Sequence, residues 1–168
     1  MKNTQRLQII SDQDILAIYA RPIFNDVEQR HYFSLTEPEL FYLKLRPANG
    51  KNTSSKLYFI LQLGYFKAKH LFFRFNYTNT ENDVQFILNT YMPNELIPAK
   101  LPTRKVRVNT HLSILSLLGF QDNADETNEL LLNKSSFIVQ KTVNPTEIFG
   151  ELRHALEKNK IVLPPYSR

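Results

Sequence analysis

The sequence predicts an all-α protein, and three observations carry that expectation. Helix-capping signals recur along the chain, apolar residues repeat at helical spacing behind them, and only 4 glycines occur in 168 residues, too few for an all-β protein with many tight turns. The expected architecture is six or seven helices in two contiguous helical halves that meet near residue 100, spanning 1–100 and 101–168 and joined into one compact unit. Helix-turn-helix-like elements fit within either half.

Each element has its own signal. Ser11-Asp12 stands ahead of Ile15, Leu16, Ile18 and Tyr19, one face of a short helix that Arg21-Pro22 ends. Thr36 is followed three residues later by Glu39, a capping box for a helix through Leu40, Phe41 and Leu43, with Pro47 and Gly50 as its stop. Ser54 or Ser55 caps a third helix in which Leu57, Ile60, Leu61, Gly64 and Ala68 recur at i, i+3, i+4, i+7 and i+11, the stripe expected to face the core. The aromatic segment His70 to Tyr77 reads equally as a short hairpin strand or as a loop packed on the helices. Asn82 and Asp83 open a helix through Val84, Phe86, Ile87, Leu88 and Tyr91, Pro93 stops it, and Asn94 to Pro102 is the linker.

Thr103 begins the clearest helix. Val108, Leu112 and Leu115 are expected to line its core side, and Gly119 to supply a left-handed C-cap. Asp122 to Glu129 then place acids in the first turns of a helix reaching about Gln140, as the macrodipole favours. Asn144-Pro145-Thr146-Glu147 combines an N-cap, a first-turn proline and a capping-box acid, starting a helix through Ile148, Leu152 and Leu156. The tail from Ile161 to Tyr166 is extended.

Composition narrows the function classes. With 21 Lys and Arg against 16 Asp and Glu, the net charge of +5 permits a polyanionic partner without demanding one. The absence of cysteine excludes disulfides, thiolate zinc sites and cysteine nucleophiles, and fits a reducing compartment. The start, MKNTQRLQIISDQD, has no apolar stretch of signal-peptide length. The most apolar window, Leu57 to Phe66, is interrupted by Gln62 and too short to span a membrane. A cytoplasmic location, with no membrane partner, is the expectation.

The distribution of charge is more telling than its sum. Between Glu39 and Glu81 no acid occurs, yet Lys44, Arg46, Lys51, Lys56, Lys67, Lys69 and Arg74 all lie there. A second acid-free span from Leu96 to Gln121 carries Lys100, Arg104, Lys105 and Arg107. On a helix Arg104, Arg107 and His111 share one face that fits a phosphate backbone. Tyr58, Gln62, Tyr65 and Lys69 fall at i, i+4, i+7 and i+11, a polar and aromatic face opposite the core stripe that suits nucleic acid. Against this stands the ordinary role of the same residue types: helices turn charges to solvent, tyrosines pack half-buried, and a helix histidine commonly finds a partner of its own.

Catalytic patterns are missing. No nucleophile elbow, phosphate-cradling glycine loop or metal constellation appears, and His31, His70, His111 and His154 are widely separated. The acids Asp122, Asp125, Glu126 and Glu129 are explained by their place at a helix start. Tyr166 lacks the histidine and arginine surroundings of a recombinase nucleophile. The chain therefore reads as non-catalytic, with no metal and no cofactor.

Three segments together resemble the N-terminal domain of the Tn-three family of replicative transposases. Tyr32-Phe33-Ser34-Leu35-Thr36-Glu37 with Leu40 looks like that family's "yftLt..el" approach to a helix. Lys56-Leu57-Tyr58-Phe59-Ile60-Leu61-Gln62-Leu63 is similar to its "RLgfalQL" helix, with Phe72-Phe73 where an Arg-Phe pair is common; Lys56 replaces the usual arginine and Tyr58 the usual glycine. Leu152 through Lys160-Ile161-Val162-Leu163-Pro164-Pro165-Tyr166-Ser167 looks like its "L...riilPgyst" boundary motif, and Arg104 to His111 with Leu118-Gly119-Phe120 matches a basic helix closing in "lGf". The resemblance covers nearly the whole chain in order and spacing. It implies the domain that recognises the terminal inverted repeats of a transposon during DNA transposition and recombination, in a bacterial, nucleoid-associated setting. It also implies a segment that stops short of the acidic, metal-binding catalytic core, so no catalytic residue carries over.

The resulting expectation is binding of double-stranded DNA at transposon ends. Lys44, Arg46, Lys56, Lys67, Lys69, Arg74, Arg104, Lys105, Arg107 and His111 would position phosphates, and Tyr58, Gln62 or Asn109 would read base edges. Partners would be the DNA, the rest of the transposase chain and, as an option, a second copy in a homodimer. The alternative is a protein-interaction or oligomerisation module of the transposase that uses Phe72 to Tyr77 as its patch.

Overall fold

A computed structural model describes residues 11–45, 53–122 and 124–164. Among them the chain is all-α, with 8 helices and no strand. In order these are α1 (Asp12–Tyr19), α2 (Asp26–Tyr32), α3 (Glu37–Lys44), α4 (Thr53–Lys69), α5 (Glu81–Tyr91), α6 (Arg104–Leu118), α7 (Ala124–Ile138) and α8 (Pro145–Lys158). No helix among the described residues is long and apolar enough to cross a membrane.

The chain divides into two compact units, but not at residue 100. One unit, Arg21–Phe120, holds α2 to α6; the other holds α1 with α7 and α8. The expected contiguous halves, 1–100 and 101–168, are corrected accordingly, and the reason is local. α6 is tied to the α4 core by His111, whose Nε2 lies 3.0 Å from the Tyr58 hydroxyl and whose ring stacks on Phe72 at 4.0 Å. One residue after Phe120, Gln121 pairs instead with the chain beyond α8: its N–H donates to the Lys160 carbonyl at 2.7 Å, and its carbonyl accepts from the Val162 N–H at 2.9 Å.

In the Arg21–Phe120 unit everything is arranged about α4. Its residues from Leu57 to Phe66 are all buried, on every side of the helix and not only along the expected stripe. Each large apolar side chain so enclosed contributes about 1.5–3 kcal/mol. Close approach by α2 requires a missing side chain: a Cβ at Gly64 would run into the Phe33 ring. α4 ends at His70, which takes a left-handed backbone (φ 54°) and stacks its ring on Phe120 at 5.0 Å.

Polar groups inside this unit are satisfied in a network. The buried Asp83 carboxylate of α5 accepts from the Gln29 amide of α2 at 2.8 Å and from the Tyr65 hydroxyl of α4 at 2.6 Å, and Arg21 lies 3.7 Å away. Arg21 in turn donates to the Tyr65 hydroxyl at 3.1 Å and to the Asn79 carbonyl at 2.8 Å. Burial first, and then the neighbouring Asp83 carboxylate, push the Tyr65 phenol well above its ordinary range, so it stays a donor.

Several local expectations shift. α2 was not foreseen, although Asn25 and Glu28 close a capping box over it: the Asn25 carboxamide accepts from the Val27 and Glu28 amides, and Glu28 accepts from the Asn25 N–H at 2.9 Å. Thr36 and Glu39 cap α3 as expected, with the Thr36 N–H donating to Glu39 at 2.8 Å. Ser54 and Ser55 lie inside the first turn of α4 and are not its caps, since the helix already includes Thr53. The segment 70–77 is extended without strand pairing, and its rings pack inward: Phe75 and Tyr77 are buried, and Phe73 is bonded by its backbone to Gln62. α5 begins one residue before Asn82, at Glu81. Gly119 is the left-handed cap of α6 (φ 69°). Pro47 and Gly50 lie outside the described residues.

The unit of α1, α7 and α8 is a smaller assembly. α7 packs on α8 across a short connection in which Asn144 caps α8 by accepting from the Thr146 amide at 3.0 Å. Ile138, Ala155, Leu156, Ile161 and Leu163 are buried, as is Ile15 of α1. Leu132, Phe137, Val139 and Val143 remain exposed.

The Gly64 contact sets a direct test. Gly64→Ala forces either the Phe33 ring or α4 to move, and overpacking of this kind costs about 1–3 kcal/mol. We expect a clearly lowered thermal midpoint by helical circular dichroism, whereas Gly150→Ala, in open space on α8, leaves the midpoint unchanged or raised.

Candidate nucleic-acid interface

The two units differ in charge. Arg21–Phe120 contains 13 Lys and Arg against 7 Asp and Glu, whereas the remaining residues carry 8 against 9. The excess positive charge of the chain thus belongs to the unit built around α4. The described carboxylates there are largely occupied inside the fold or at helix starts: Asp83 in the buried network, Glu39 with Lys67, Glu28 on its own cap.

Of the twelve residues expected to contact nucleic acid, the eleven that are described separate into three groups. Lys44, Arg74, Arg104 and Lys105 are exposed, and none of them engages a described carboxylate. Lys56, Lys67, Lys69, Arg107 and His111 are half-buried. Lys67 is committed to the fold: its ammonium donates to Glu39 and to the Ser34 carbonyl, both at 2.9 Å. Arg46 lies outside the described residues.

Tyr58 and Gln62 form the third group and require correction. The polar and aromatic face of α4 does not reach solvent: Tyr58, Gln62 and Tyr65 are buried. The Gln62 amide donates to the Phe73 carbonyl at 2.7 Å and to the Tyr58 hydroxyl at 2.9 Å, and its oxygen accepts from the Phe73 N–H at 3.2 Å. It holds the 70–77 segment in place much as a backbone ladder would, and no base edge can reach it. The physical cause is that α4 is enclosed on all sides, so its polar positions serve internal accounts. The same bonds remove Phe72 to Tyr77 from the list of free surface patches.

α6 presents the exposed basic face. Thr103 is its N-cap residue, and its first turn carries Arg104, Lys105 and Arg107 with no acid. The positive end of the macrodipole and the unsatisfied amides of that turn add to the cations. The core side of α6 is Thr110, Ile114 and Leu115, with His111 beside them. Contrary to expectation, Val108 and Leu112 are 48 % and 59 % exposed, and they share the open face with Arg104, Lys105 and Asn109. The alternative stripe Thr110, Ile114, Leu118 was the sequence signal that pointed to this orientation.

His111 is not a phosphate ligand in waiting. Burial, and then the charge of Arg107 one turn before it, push its imidazole down to about 4. It is therefore neutral at ordinary pH and packs between Tyr58 and Phe72. Burial likewise raises the Tyr58 phenol, against the smaller opposing effects of Gln62 and Arg107. The Arg107 Nε is itself buried without a partner among the described residues. Arg107 and His111 thus turn partly into the fold, and only Arg104 of the expected Arg104, Arg107, His111 face is fully outward. Among the described residues no group of three or more His, Asp or Glu side chains gathers at metal-binding distance.

Comparison with known proteins gives one result. A family model described as Domain of unknown function (DUF4158) matches residues 9–168. No curated protein and no solved structure matches the chain.

The state of His111 makes stability depend on pH. The unfolded chain takes up a proton near the ordinary histidine value of ~6.5, while the folded chain resists it until about 4. The unfolded state binds the extra proton first, so stability is complete above about 6.5 and is lost as pH falls towards 4. His111→Gln removes that component. Chemical denaturation across the same window should show the wild type losing more stability than the variant.

Proposed function

The chain belongs to the DUF4158 family, a domain found in transposase-like proteins, and from that premise we propose that its Arg21–Phe120 unit binds double-stranded DNA. The observation that carries the reading is the segregation of charge: 13 cationic residues against 7 acidic ones in one compact unit, and near neutrality outside it. Duplex DNA is the polyanion such a surface suits, because each neutralised phosphate releases condensed counterions. Arg104 and Lys105 on the first turn of α6 contact phosphates, assisted by the amides of the helix start. Lys44 and Arg74 add exposed cations on α3 and on the 70–77 segment.

The finer reading follows the resemblance to the Tn-three family. The domain recognises the terminal inverted repeats of a transposon, carries no catalytic core of its own, and works beside the rest of a transposase chain at the nucleoid. A second reading, a protein-interaction or oligomerisation module, is favoured by one observation: Leu132, Phe137, Val139 and Val143 stand exposed on and just after α7.

Fluorescence anisotropy with a labelled transposon-end duplex and a scrambled duplex, each across a salt series, tests both. We expect tighter, salt-dependent binding to the end sequence. Arg104→Ala combined with Lys105→Ala, at two exposed positions, weakens binding to both duplexes and reduces the slope of log K against log salt by about two. An unchanged slope removes α6 from the interface, and a wild type that binds neither duplex transfers the case to the interaction module.

A further inference from the structure

Resting on the DNA-binding reading, we infer that the open face of α6 reads A·T base pairs in the major groove, with Val108 and Leu112 packing on thymine methyl groups and Asn109 bonding adenine. The starting point is the orientation of the helix. Periodicity places Val108, Leu112 and Leu115 in the core, yet of these the fold buries only Leu115, beside Thr110 and Ile114. Val108 and Leu112 are left 48 % and 59 % exposed. They are four residues apart and stack on successive turns. A β-branched valine and a leucine side by side on a solvent face leave about half of their surface open to a partner.

What surrounds them decides the occupant. Arg104 and Lys105 flank the pair on the N-terminal side, and Asn109 and Ser116 continue the face. No carboxylate lies on α6 at all. A protein partner seated here would have to cover two cations at the positive end of a helix dipole; a duplex is drawn by the same features. From Arg104 to Leu112 the face is about 12 Å long at 1.5 Å per residue, and a B-DNA major groove is about 12 Å wide. A helix lying across it with its N-terminal end over one strand sets Arg104 and Lys105 against the flanking phosphates and brings Val108, Asn109 and Leu112 to the base edges.

The floor of the major groove offers one apolar group, the C5-methyl of thymine. The adenine paired with it offers N7 and N6 to a carboxamide. An apolar pair beside an exposed asparagine therefore matches A·T pairs and leaves the donors and acceptors of G·C pairs unanswered. The cations fix where the helix lies, and the uncharged residues between them fix what it reads.

The test uses the whole chain. Duplexes that it retains from a library with a randomised centre are sequenced, and each thymine in the enriched site is replaced in turn by deoxyuridine, which lacks only the methyl. At one or more positions we expect binding about fourfold weaker, the effect of one buried methyl group. In Val108→Ala combined with Leu112→Ala the same replacement should have no effect. Those two positions are exposed, so circular dichroism should show a wild-type fold, and the salt-dependent binding to a scrambled duplex should persist. Binding that is indifferent to deoxyuridine at every position, or enrichment of sites without thymine, overturns the assignment and leaves the DNA-binding reading intact. Retention of no duplex at any salt concentration overturns both.

Discussion

Enclosing α4 on every side is the constraint on which the Arg21–Phe120 unit depends. A helix with one buried face can turn its polar side chains to water; between Leu57 and Phe66 this one has no such face. Gln62, Tyr58 and Tyr65 must find partners inside, and each partner fixes a different part of the chain. Gln62 fixes the 70–77 segment through both backbone groups of Phe73. Tyr58 meets His111 and so fixes the rotation of α6. Tyr65 meets Asp83 and fixes α5, while Gln29 and Arg21 complete the shell of that carboxylate. An unsatisfied buried group costs about 1–3 kcal/mol, so these partners are held in register by more than apolar contact.

The surface follows from the interior. Tyr58 and Phe72 hold the imidazole of His111 and so fix the rotation of α6, which commits Thr110, Ile114 and Leu115 to the core and turns another side outward. That side bears Arg104, Lys105, Val108, Asn109 and Leu112. The same network uses Lys67 and Glu39 as an internal pair and takes Lys67 from the pool of cations available to a partner. Of the two acid-free spans in the sequence, the earlier one contributes the enclosed helix α4 and the later one the exposed basic face of α6.

Much of the fold was legible because caps are local. Ser11, Thr36 with Glu39, Thr103, Gly119 and Asn144-Pro145 mark helix ends by chemistry that needs no tertiary information. α2 is harder to read because its seven residues bring little periodicity, although Asn25 and Glu28 carry the capping signal. The site was less legible for a different reason. Periodicity states which residues share a face, but not whether a polar face is buried, and α4 bears tyrosine and glutamine inward. In α6 two apolar stripes compete, and the choice between them was made by the Tyr58–His111 contact between residues 53 positions apart. The division of the chain was hidden likewise, since the Gln121 bridge to Ile161 is invisible to any local pattern.

The start of α6 runs against the electrostatic pattern of most of the other helices. α1, α2, α3, α5 and α8 all carry acids in their first turns, as the macrodipole favours: Asp12 and Asp14, Asp26 and Glu28, Glu37 and Glu39, Glu81 and Asp83, and Glu147. α6 carries Arg104, Lys105 and Arg107 instead, an arrangement that each cation makes worse by about 0.3–1 kcal/mol. Arg107 adds a buried Nε without a described partner. α4 also lacks an acid there and carries Lys56, but α6 sets three cations in its first turn, a local conflict that an external anion would relieve. A row of phosphates alongside that turn would satisfy the amides, offset the dipole and pair the cations together. No residue within α6 does any of these, because the helix contains no acid.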